Sequence, residues 1–133
     1  MKHLLRFVCG GVGYYLIEVV WRYFMNHGTP SLLMIPMGGF ICVVLLLAED
    51  KRLPILLGSF LGAVTTVLSE LVVGLILLDC FNKRYWHYGR INYRGVIALD
   101  WSFIWWGVCF GFLVLLRLTK WLRRRHKAKK GRV

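Results

Sequence analysis

Acidic residues are scarce in this 133-residue sequence: six, against eighteen lysines and arginines. Metal-binding patterns are absent. Cys9, Cys42, Cys80 and Cys109 form no close pair, and neither a CxxC nor an HxxxH spacing occurs, so nothing points to zinc. Three of the four cysteines lie in apolar segments, where cysteine acts as a small packing residue. No P-loop occurs, so any use of ATP would need a separate ATPase subunit. No nucleophile motif is visible, and no cofactor is expected. Polar surface is also short. Residues of hydrophobic type make up 58% of the chain, more than a soluble domain of this length can cover.

What is there comes in long apolar runs, the pattern of membrane helices. The runs predict an all-α membrane protein with four transmembrane helices. These are roughly Leu4 to Met25, Ser31 to Ala48, Leu53 to Leu78 and Val96 to Leu118. The N-terminal "MKHLLRFVCGG" is a weak match to a signal peptide, because Arg6 interrupts it and no apolar core precedes Cys9. It reads as a retained first helix. Pro36, Gly38 and Gly39 predict a kink or break in the second helix.

Basic residues are distributed unevenly. With four spans, thirteen fall on the side of the termini and five on the other. The positive-inside rule then places both termini in the cytoplasm of a bacterial plasma membrane. Residues 1–119 form the transmembrane domain and 120–133 a basic cytoplasmic tail, expected to lie against anionic lipid. The tail carries no aromatic stacking platform, and nucleic acid is not an expected partner.

Two carboxylates stand inside apolar runs, where a charge costs about 2.5 to 3.5 kcal/mol on insertion scales. In "GAVTTVLSE", Glu70 lies on a four-residue ladder with Gly58, Gly62, Thr66 and Gly74. That small, polar face is suited to close helix contact and aims Glu70 at protein. In "GGVGYYLIE", Glu18 shares a ladder with Gly10, Tyr14 and Arg22, in the order that favours a helical ion pair. The two stretches align and suggest two parallel helix hairpins. Glu18, Glu70, Arg22 and Asp100 all fall in the outer half. Two readings stand: a structural ion pair with a packed Glu70, or a substrate or proton site.

The outer loop "YWHYGRINYRG" holds four aromatic residues, His87, Arg90 and Arg94. It reads either as an interfacial belt or as a lid in which Trp86, His87 and Tyr88 fold back near Asp100. In the lid reading His87 would exchange protons and Arg90 and Arg94 would hold an anionic group.

The stretch "WHYGRINYRGVIALDWSFIWWG" resembles the C-terminal pattern of the ABC-transporter type IV, or CmpB-like, membrane family. Trp86, Tyr88, Asn92, Gly95, Ile97, Ser102 and Trp105 match it in order. Thr65, Thr66 and Glu70 are similar to its Thr-Thr-x-x-Glu segment, and Gly13 with Glu18 to its first helix. Departures are His87 for Asp, Gly89 for Ser and Val96 for Arg. The resemblance implies a small polytopic permease, and because four helices make a thin pore wall, a homo-oligomer or a larger membrane partner is expected. Its site would comprise Glu18, Arg22, Thr66, Glu70, His87, Arg90 and Asp100. Two alternatives stay open: an accessory subunit of a larger complex, and an intramembrane enzyme acting on a lipid or isoprenoid phosphate.

Overall fold

The computed structural model describes residues 1–89 and 91–132. Four helices follow in order: α1 (Lys2–Phe24), α2 (Met34–Asp50), α3 (Ile55–Phe81) and α4 (Leu99–Lys130). Between α3 and α4 lie two short strands, β1 (Asn92–Tyr93) and β2 (Ile97–Ala98), paired antiparallel. By length and composition α1, α3 and α4 can cross a membrane. The fourth expected span, α2, has 17 residues, about 26 Å at 1.5 Å per residue, and falls short of that standard. Side chains such as Leu16, Ile17, Leu68, Phe103 and Leu115 project from α1, α3 and α4. An apolar exterior over long helices marks a membrane protein.

The expected break in α2 does not occur, and Met34–Asp50 is one continuous helix. Pro36 sits in the first helical turn, where a missing N–H breaks no intrahelical bond. The chain enters that turn through Ser31, whose Oγ accepts the Leu33 N–H at 3.3 Å. The helix α3 stops at Asn82, which takes a left-handed conformation and leaves the Lys83 N–H to cap Leu77. The loop between α3 and α4 is built on a tight hairpin turn. Arg94 and Gly95 both have positive φ, 51° and 72°, and the Val96 N–H closes the turn on the Tyr93 carbonyl. A Cβ at Gly95 would collide with His87 and Arg84. The helix α4 therefore begins at Leu99, and it runs unbroken to Lys130, so the boundary at residue 120 falls within one continuous helix.

Each helix packs on the next: α1 on α2, α2 on α3, α3 on α4, with lighter contact of α2 on α4. Glycine permits the closest approaches. A Cβ at Gly38 would strike Tyr14, one at Gly10 would strike Cys42, and one at Gly62 would meet Leu45 and Cys109. The ladder of α3, Gly58, Gly62, Thr66, Glu70 and Gly74, is buried throughout. Ile41, Leu45, Cys109 and Leu113 form the core against it.

One end of the bundle is clamped by charge. Arg6 of α1 binds Asp50 through two hydrogen bonds, and Lys2 lies 3.5 Å away. The Arg6 partner holds the Asp50 carboxyl down at about 2, so the clamp stays ionised at neutral pH. Arg117 and Lys120 of α4 both bind Glu49, at 2.7 and 3.1 Å. The start of α1, the end of α2 and the middle of α4 thus share a level. Glu18, Arg22 and the hairpin lie toward the other end.

Candidate functional site

At the end opposite the charge clamp, the helices spread around a cavity of about 680 Å³, within the range of small-molecule sites. Its walls come from α1, α3, α4, the 84–88 segment and the start of α2. Glu18 and Arg22 stand on one wall, paired at 2.9 Å. Arg22 is only 7% exposed. Its terminal guanidinium nitrogens have no partner among the described residues, and no buried side-chain polar atom is left unsatisfied. They therefore face the cavity that Arg22 lines.

Glu70 enters from α3 and is 5% exposed. The ladder residues Thr66 and Gly74 are not its polar partners. Oε1 accepts the Tyr88 hydroxyl at 2.9 Å and the Trp105 indole N–H at 3.0 Å. Oε2 has no partner among the described residues, and by the same reasoning as for Arg22 it looks into the cavity. The outer segment thus folds down on the carboxylate through Tyr88. Burial, and then the nearby Glu70, push the Tyr88 phenol above its ordinary value, so it remains a hydrogen-bond donor at physiological pH.

The other sequence-predicted residues separate into two groups. His87 lines the cavity and accepts a hydrogen bond at Nδ1 from Arg84, 2.9 Å away. A guanidinium can only donate, so Nδ1 carries no proton there. Trp86 lines the cavity while its indole N–H binds the Val96 carbonyl at 2.9 Å. Thr66 does not reach the cavity. Its hydroxyl is fully buried and donates back to the Gly62 carbonyl at 2.9 Å. Asp100 is exposed in the first turn of α4, outside the cavity lining, with no polar partner among the described residues. There it complements the helix dipole. Asn92 and Ser102 serve the backbone: Asn92 accepts the Gly95 N–H at 2.7 Å, and Ser102 donates to the Ala98 carbonyl at 2.8 Å. Arg94, expected to hold an anion, is paired with Asp79 at 2.8 Å. Arg90 lies outside the described residues.

Sequence reasoning missed most of the aromatic lining. Tyr14, Trp21, Tyr85 and Trp101 also face the cavity. Tyr14 and Trp105 approach at 6.3 Å between ring centroids, and Tyr88 and Trp101 at 5.5 Å. Tyr14 stands one turn from Glu18 on the same ladder, which was the available signal. Among the described residues no three His, Cys, Asp or Glu side chains gather as a metal site would require.

No curated protein and no solved structure matches the chain. A family model described as "Putative ABC-transporter type IV" matches residues 5–130. The match takes in all four helices, the hairpin that carries Tyr88 toward Glu70, and the basic end of α4. The chain therefore belongs to this ABC-transporter type IV family of membrane proteins.

Proposed function

We propose that this protein is a small permease whose substrate binds in the cavity beside Glu70. The observation that supports this reading most is the free oxygen of Glu70. A carboxylate in an apolar bundle is costly and needs a use or a full set of partners. Here one oxygen is doubly hydrogen-bonded, and the other faces a cavity of substrate size. The Glu18–Arg22 pair completes a polar wall on the facing helix.

In this reading all four helices lie in the plasma membrane, with α2 as a short span. The termini and the clamp of Glu49 and Asp50 are cytoplasmic, and the cavity opens outward. The charge distribution supports this orientation. The similar ladders of α1 and α3 support two parallel hairpins, and four helices form a thin wall that a homo-oligomer or larger partner would complete. A separate ATPase subunit would supply any ATP-driven step.

The test is flux in proteoliposomes, alone and with co-purified partners, across solutes of each charge class. Wild type should move at least one class. Glu70→Gln keeps the shape and should lower the rate about tenfold or more, the worth of one hydrogen bond to a charged group. Absence of flux for every class, with and without partners, would overturn the reading.

A further inference from the structure

The cavity has an apolar, exposed side. Ile17 and Trp21 on α1, and Trp101, Ile104 and Val108 on α4, line it while remaining exposed on the bundle surface. The helix α1 packs closely on α2 and stands off α4, and the Tyr14–Trp105 ring pair is the ring contact across that gap among the described residues. In a bilayer this gap faces acyl chains. We propose that the cavity takes an amphiphilic monocation, an amine or quaternary ammonium head with an apolar tail, and admits it sideways from the bilayer between α1 and α4. The proposal rests on the transport-site reading of Glu70 and adds the substrate class and its route.

Arg84 brings the lining as a whole to a formal net charge of zero, but the balance beside Glu70 favours a cation. Glu18 and Arg22 largely cancel each other. The two donors on Glu70 Oε1 are a phenol and an indole, both neutral, so the carboxylate has no counter-charge among the described residues. A bound cation would supply one at Oε2. Around it stand Tyr14, Trp21, Tyr88, Trp101 and Trp105. The faces of such rings attract an ammonium, more strongly where water is excluded.

The rim explains the sideways route. Arg84 lines the cavity and is exposed, and Lys83 adjoins it in sequence. A cation arriving from water would meet like charge first. One already in the bilayer meets Ile17, Ile104 and Val108, which accept a tail while the head reaches the aromatic wall. An anionic head would instead have to sit at Arg22, with the paired Glu18 beside it.

Binding to purified protein in a non-ionic maltoside detergent tests this directly. The probe is radiolabelled decyltrimethylammonium. The comparators are tetramethylammonium, which has the same head without a tail, and decyl sulfate, which has the same tail with an anionic head. Saturable binding of the probe should be displaced poorly by either comparator. It should weaken at least tenfold in Glu70→Gln and return in Glu70→Asp. Ile104→Trp fills the gap without touching a polar group and should also weaken it, which keeps the test open if Glu70→Gln does not fold. Equal displacement by decyl sulfate, or full affinity in Glu70→Gln, would overturn the cation proposal, and full affinity in Ile104→Trp would overturn the sideways route. Equal displacement by tetramethylammonium would overturn the sideways route. Binding that follows the expected pattern without any flux would sink the transport reading and leave this one standing. Flux of an anionic solute that depends on Glu70 would do the reverse.

Discussion

Glu70 shows how far a single residue can be read from sequence. Its ladder of small residues pointed it at protein, and that whole face is buried. Helical periodicity within one element carries this information. Its partners were not legible, because Tyr88 and Trp105 lie 18 and 35 positions away along the chain. Only the packing of α4 and the fold-back of the outer segment bring them together. The same limit explains Asp100, attractive as an acidic residue near a helix end but outside the cavity lining. Tyr88→Phe is expected to fold, since the ring keeps its place against Trp101. It removes one of two donors to Glu70 Oε1, at a cost of about 1 kcal/mol. Infrared difference spectra against Glu70→Gln should show the Glu70 carboxyl band shifted. An unshifted band would mean that the hydrogen bond is not made in solution.

At the scale of elements, the existence of the helices was readable because each is a long apolar run. Their ends were less so. Pro36 looked like a helix breaker in mid-run, yet the turn at Ser31 to Leu33 moves the helix start so that proline falls harmlessly in the first turn. The hairpin of β1 and β2 escaped notice because its strands are two residues each, too short for an alternating pattern. The C-terminal basic run hid the length of α4, since charge ends a span without ending a helix. The glycines are a case where sequence spacing and packing coincide. Gly62→Val is expected to destabilise by about 1 to 3 kcal/mol through overpacking against Leu45 and Cys109. Gly111→Ala meets open space and should match wild type or exceed it. Thermal melts followed by size-exclusion in detergent would compare the two, and equal midpoints would contradict the close contact of α2 and α3.

For the whole molecule, the proposed orientation rests on where charge collects. The clamp of Arg6, Asp50, Glu49, Arg117 and Lys120 gathers at one end, the end that carries most of the basic residues. Gly89 lies at the opposite end, exposed and with open space around it, so a cysteine there should not disturb the fold. In a cysteine-free background, Gly89→Cys is expected to react with a membrane-impermeant maleimide in intact cells. Reaction only after the inner membrane is opened would invert the topology. The length of α4 has a mechanical side. Its 32 residues extend about 48 Å, held near the middle where Arg117 and Lys120 grip Glu49. Trp105, on Glu70, is 12 residues above Arg117, and Lys130 is 13 below it. These are arms of about 18 and 20 Å. A continuous helix pivoting at that grip is a balance beam. Any tilt that moves Trp105 swings the charged tip by nearly the same distance in the opposite direction.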